Sequence, residues 1–119
     1  MKNLLFFSHN NKKVSEVKRI LNREDIKISN LNSYNKIKEP IESGKSFAEN
    51  AKIKSSCGLK KFHVPCFADD SGICIEALNW KPKVYSRRFL EKFYNNDKCF
   101  EYIIKRIKQT EKVRAYFQT

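Results

Sequence analysis

The chain has 119 residues, 40% hydrophobic and 13% aromatic, which is enough for one domain with its own core and argues against wholesale disorder. Its formal net charge of +12 favours polyanionic partners, but 19 of the 25 basic residues are lysine and they are scattered along the whole chain, which makes a dedicated nucleic-acid module the weakest reading. No stretch approaches the length of a membrane span, and the opening MKNLLFF lacks a full apolar region and a cleavage site, so a cytoplasmic protein without a membrane partner is expected.

In chain order, residues 3–8 (NLLFFS) read as a short buried strand, followed by the polar turn HNNKK. A helix follows to about Asn22, with Val14, Val17, Ile20 and Leu21 on one stripe, and DIKISNL alternates like a second strand. Strand, polar loop, helix and strand make a β-α-β unit whose first strand is expected to be central. Residues 32–45 carry Pro40 and Gly44 and read as loop. Ser46 and Glu49 have capping-box spacing, with Glu49 expected to reach back to the Ser46 N–H. The helix they open runs to about Phe62, and its face of small residues, Ala48, Ala51, Ser55 and Leu59, is suited to lie on a sheet. Residues 63–65 (HVP) break it. The stretches CFA and ICIEAL read as strands flanking an acidic turn, and residues 79–94 show no periodicity. Asn95, Asn96 or Asp97 caps a last helix with Phe100, Ile103, Ile104 and Ile107 on one stripe. Residues 112–119 read as a strand whose partner would follow it. The four cysteines, Cys57, Cys66, Cys74 and Cys99, include no C-x-x-C pair, so reduced core thiols are expected. The sum is an α/β fold with a mixed central sheet flanked by helices, as a single domain over residues 1–119.

Three clusters bear chemistry, each with a plain alternative. Ser8, Asn10 and Lys13 lie between a strand and a helix, where backbone N–H groups and the helix dipole favour phosphate; alone they are equally a solvated helix start. His9 beside them reads as a solvent-facing loop residue. Glu42 is a candidate ligand or a surface carboxylate, Lys54 a cleft lysine or an exposed one, and Glu49 a cap. Asp69 and Asp70, followed by Ser71 and Gly72, interrupt two apolar runs. Asp-Ser-Gly is good hairpin-turn chemistry; adjacent carboxylates at strand ends are also oxygen ligands for a hard cation, provided that the backbone turns there, a freedom Gly72 is expected to supply.

In order and spacing, SHNNKK, SGKSFAENAKIK, FADDSGICIEAL and PKVYSRRF together resemble the inosine triphosphate pyrophosphatase family, enzymes that hydrolyse deaminated purine nucleoside triphosphates. The similarity covers nearly the whole chain, and the chain resembles the N-terminal portion of that family's proteins. The resemblance implies Mg²⁺-dependent hydrolysis of ITP, dITP or XTP to the monophosphate and pyrophosphate. It implies Ser8, Asn10, Lys13, Lys54 and Ser71 as substrate contacts, Glu42 and Asp70 as metal ligands, and Asp70 also as general base. Asp69, Glu49, Asn50 and Arg88 are implied as supporting residues. The partner implied is the nucleotide, with a homodimer in the full-length family. The alternative is a truncated, silent remnant that retains at most nucleotide binding or self-association, an idea resting on a partnerless strand at 112–118. Asn79, Trp80 and Lys83 stand where the family has small residues, which implies local strain.

Overall fold

A computed structural model describes residues 2–34 and 37–119 of the chain. They form two compact units, one ending at Asp69 and the other beginning at Asp70.

In the first unit, strand β1 (Lys2–Phe6), helix α1 (Asn11–Ile20) and strand β2 (Ile26–Asn30) form the β-α-β unit read from the sequence. Helix α2 (Phe47–Phe62) leads to strand β3 (Cys66–Phe67). The sheet order is β2-β1-β3, so β1 is central, and both pairings are parallel, with Leu4 opposite Ile28 and Leu5 opposite Cys66. A parallel strand between two others is buried, and Leu5 and Phe6 are 0% and 2% exposed. Phe6, Val14 and Ile28 form the core with Leu4, Val17, Ile26 and Phe67 against them, and the Phe6 and Phe67 rings stack at 4.9 Å.

Helix α1 turns the start of its expected stripe to the core, and α2 turns a face one residue away from the small-residue face expected of it. The α1 stripe is buried at Val14, but Ile20 is 69% exposed and Leu21, the C-cap, is also exposed, because the core cluster is covered by Val14 and Val17 alone. In α2, Ala48 and Leu59 are exposed, whereas Asn50 and Gly58 are buried. The reason is a close approach. A Cβ at residue 58 would collide with Cys66 Sγ and stand 2.9 Å from the Phe7 ring, so the helix can lie on β3 only where it carries glycine. The inner stripe is therefore Asn50, Lys54 and Gly58, spaced by four. Burial, with Cys57 as the lesser cause, pushes the Cys66 thiol up to about 11, so it stays protonated at neutral pH.

In the second unit, strand β4 (Gly72–Ile75) is central between β5 (Lys81–Pro82) and β6 (Ala115–Gln118), all antiparallel. The terminal strand is paired with a strand that precedes it: Cys74 faces Tyr116 and Ile73 faces Phe117. This corrects the expectation of a partnerless strand at 112–118. ICIEAL is strand only to Ile75 and then turns as a 3-10 segment, Glu76–Leu78. Arg114 clamps that turn, with Nε and Nη2 donating to the Glu76 carboxylate at 2.6 and 3.2 Å, and lies 5.5 Å from the Trp80 ring, which packs on Tyr116. The Arg114 hydrogen bond holds the Glu76 carboxyl below its ordinary range. Residues 79–94, without periodicity, contain the short helix α3 (Ser86–Glu91). Asn79, Trp80 and Lys83 adopt left-handed backbone, φ 57°, 63° and 51°, which is the strain implied for bulky residues there. Helix α4 (Asn96–Thr110) is capped by Asn95, whose Oδ1 accepts the Lys98 N–H at 2.9 Å. It lies against the Glu76–Leu78 turn and buries Cys99 at 2%, while Phe100 and Ile104, expected to be inside, are 54% and 51% exposed.

The α/β class expected from the sequence is the class observed, with the strands of the described residues divided between a parallel and an antiparallel three-stranded sheet. Because β3 and β4 belong to different sheets, residues 68–71 are not a hairpin turn.

Candidate functional site

The loop after β1 is built by its own side chains. Ser8 Oγ accepts the Asn10 N–H at 3.0 Å, and Asn10 Oδ1 accepts the Lys12 and Lys13 N–H groups at 3.1 and 3.2 Å, capping α1. Sequence reading gave both residues to a ligand; the structure also gives each a local role in fixing the loop. That role spends the acceptor side of each group, and the Ser8 hydroxyl hydrogen and Asn10 amide nitrogen are donor groups suited to an anion. His9 is held too, Nδ1 lying 3.2 Å from Asn32 Oδ1 and Nε2 3.7 Å from Glu39 Oε1.

From the first turn of α1, Lys13 Nζ reaches Asp69 Oδ2 at 2.6 Å. From the inner stripe of α2, Lys54 Nζ lies 2.8 Å from Glu42 Oε1 and donates to the Asp69 backbone carbonyl at 3.1 Å. Two ammoniums from two helices therefore meet two carboxylates from two loops, and Lys54 joins the Glu42 loop to the segment after β3. The side chains are 20–36% exposed, so bulk salt screens them less than surface pairs. Asp69 and Ser8 follow parallel neighbouring strands, which puts this cluster beyond the carboxyl ends of the sheet, where α/β proteins bind ligands.

Asn50 holds the Glu42 loop. It is 1% exposed, and its Oδ1 accepts the Gly44 N–H at 2.7 Å. An Asn50→Leu change keeps the branching but enlarges a buried side chain and leaves that N–H without its acceptor, so it is expected to lower stability by about 3 kcal/mol, read from the urea midpoint. Glu49 has another position. Its Oε2 accepts the Lys45 N–H at 2.6 Å, one residue before the expected Ser46 N–H, while Ser46 Oγ accepts the Glu49 N–H at 3.1 Å. Its carboxylate serves the cap rather than the Lys13–Lys54 cluster.

In the second unit, Asp70 is buried, 9% exposed, at the start of the Asp70-Ser71-Gly72 run. Gly72 was expected to supply a turn, yet no glycine described has positive φ. Its need is spatial: a Cβ there would collide with the Lys83 carbonyl oxygen and stand 2.6 Å from Ser86 Oγ. Ser86, in the PKVYSRRF motif, has a bonding role in this unit that the motif alone did not specify. Its Oγ accepts the Ile73 N–H at 3.0 Å and donates to Lys83 O at 2.7 Å, tying α3 to β4. The signal was present in Tyr85-Ser86, but a serine's partner 13 residues away is not readable from spacing. The Arg88 guanidinium lies 5.6 Å from the Tyr85 ring centroid.

The donor chemistry suits a hard divalent cation. Glu42 and Asp69, in the first unit, supply oxygen only. Among the described residues no three of His, Cys, Asp and Glu stand together as a ready cage. Mg²⁺ takes one or two protein carboxylates and completes its shell with water and substrate phosphate, so a sparse set fits it.

Fold and cluster define an α/β protein with paired lysines and carboxylates at the carboxyl ends of parallel strands. The chain belongs to the Ham1 family, which matches residues 4–119 and bears out the resemblance carried by the four motifs. It is 38% identical over 123 residues to a dITP/XTP pyrophosphatase of Borrelia duttonii, covering 98% of this chain and 60% of that protein. A solved nucleoside-triphosphatase, or dITP/XTP pyrophosphatase, from Mycobacterium abscessus is similar with a TM-score of 0.78 at 32% identity, over 97% of this chain and 61% of that one. A HAM1 protein of Coxiella burnetii gives 0.83 at 28% identity, over 98% and 60%. The chain thus spans about 60% of the length of these relatives.

Proposed function

We propose that the chain is part of a nucleoside triphosphate pyrophosphatase, which hydrolyses ITP, dITP or XTP to the monophosphate and pyrophosphate with Mg²⁺. The observation that carries this reading is the Lys13–Asp69 and Lys54–Glu42 cluster beside a capped phosphate-type loop. In this reading Ser8, Asn10, Ser71 and the start of α1 bind phosphate oxygens, and Lys13 and Lys54 offset their charge. Asp70, with Asp69 orienting its segment, takes the proton from the water that attacks the α-phosphorus. Glu42 and Asp70 hold Mg²⁺, which when bound draws charge from the phosphate oxygens. Asn50 supports the Glu42 loop, Glu49 the α2 start, and Arg88 the acidic segment. No helix among the described residues is long and apolar enough to cross a membrane; the site of action is read as cytoplasmic. The family's full-length proteins are read as homodimers.

The test is the purified chain with ITP or XTP and Mg²⁺, its products separated by ion exchange. Pyrophosphate and monophosphate are expected, lost on chelation and restored by added Mg²⁺. Absence of release, orthophosphate as the first product, or indifference to chelation overturns the proposal.

A further inference from the structure

We infer that Lys13 and Lys54 act as resident counter-cations on the Asp69 and Glu42 carboxylates until a divalent ion, held by Glu42 and with Asp69 toward its water shell, displaces them toward phosphate. The inference rests on the pyrophosphatase reading and adds an order of events to it. Without metal, two carboxylates in a partly buried cluster repel one another and lose hydration. Here each is met by an ammonium: Lys13 Nζ is 2.6 Å from Asp69 Oδ2, and Lys54 Nζ is 2.8 Å from Glu42 Oε1. Lys54 also donates to the Asp69 carbonyl at 3.1 Å, so one flexible side chain closes the space between the Glu42 loop and the segment after β3.

A cation cannot bind the same oxygens at full strength while these pairs persist. The conformation competent for metal is the one with the amines turned away, so the apparent metal affinity is reduced by its small population. An amine released from a carboxylate keeps its charge and four-carbon reach, and phosphate is the acceptor it is then suited to. Metal and phosphate therefore help each other bind through the lysines, and the help is reciprocal. Lysine suits the exchange better than arginine would, since arginine's bidentate fork would hold the carboxylate in place.

Two measurements test this. In the first, Mg²⁺ alone is titrated into the protein while the side-chain methylene resonances of Lys13 and Lys54 and the carboxyl resonances of Glu42 and Asp69 are followed. All four residues should move together, the lysine signals toward solvent-like values. In the second, Mg²⁺ affinity is compared between Lys54→Met and Lys60→Met, which remove the same charge from one helix. Lys54→Met should bind Mg²⁺ about ten-fold more tightly than the parent. Lys60→Met, removing only a screened charge, should change it by no more than about two-fold. If Glu42 and Asp69 respond while the lysine signals stay fixed, or if the two variants behave alike, the exchange is wrong and the pyrophosphatase reading stands. If Mg²⁺ leaves Glu42 unmoved, the assignment of Glu42 as a metal ligand in that reading fails with it.

Discussion

In the proposed mechanism, replacing Asp70 by asparagine is expected to lower pyrophosphate release about a thousand-fold with the fold intact, because general-base transfer alone contributes about 10²–10⁴ and the charge proposed to attract the metal is lost as well. Asparagine has the same shape, so the 9% exposed position can accept it without a cavity. The loss should appear in kcat and kcat/KM together, since the base acts in the transition state. Its neighbour provides the contrast. Asp69→Asn breaks the 2.6 Å pair with Lys13 but leaves Lys13 able to reach phosphate, so its cost should be nearer ten-fold and should fall mainly on KM. Thermal unfolding of both variants checks that activity, not folding, has changed. Equal losses at the two aspartates would remove the separate roles proposed for them.

The contacts legible in the sequence were those made over short range or imposed by a local device. Asn95 and Ser46 cap α4 and α2 through donors three residues away, a geometry set by helix pitch. The β-α-β start was legible because parallel strands need a crossover helix and the chain offered one of the right length. Lys13, Glu42, Lys54 and Asp69 were legible only as a set, through the resemblance; singly, each had an equally good surface explanation. What brings Lys54 inward is the phase of α2, and that phase is fixed by Gly58 against Cys66.

Phase is where sequence reasoning failed elsewhere too. Ala48 and Leu59 were expected inside α2 as part of a small-residue face, and Phe100 and Ile104 inside α4 by hydropathy, yet these four are exposed and the helices turn Gly58 and Cys99 inward. In each helix a small residue is buried at the contact, while Ala51 and Ser55 in α2 and Ile103 and Ile107 in α4, also on the expected stripes, are half-buried beside it. A periodicity count weighs only hydrophobicity, so it rotates the helix by about one residue. The pairing of β6 with β4 escaped for a different reason: about 40 residues separate the partners, and neither strand carries a turn signal that names the other.

Gly72→Ala should destabilise the second unit by about 3 kcal/mol, through overpacking and lost hydrogen bonds. The added methyl would collide with the Lys83 carbonyl oxygen and press on Ser86 Oγ at 2.6 Å. Neither neighbour yields easily. Lys83 is already in left-handed backbone at φ 51°, and Ser86 Oγ is fixed by Ile73 N–H and Lys83 O at 3.0 and 2.7 Å. Separation of β4 from this segment would give up the bond from the Ile73 N–H to Ser86 Oγ, in the central strand of its sheet. The single tryptophan, Trp80, lies in this unit against Tyr116, so its fluorescence reports the unit directly. Its urea midpoint should fall by about 1–3 M for m-values of about 1–3 kcal/mol/M. The sign separates two explanations of this glycine. If residue 72 were glycine only for backbone freedom, alanine at its negative φ would stabilise the fold by about 0.4–1 kcal/mol through the unfolded chain. A midpoint raised by Gly72→Ala would therefore mean that Lys83 and Ser86 do not press on β4 at all.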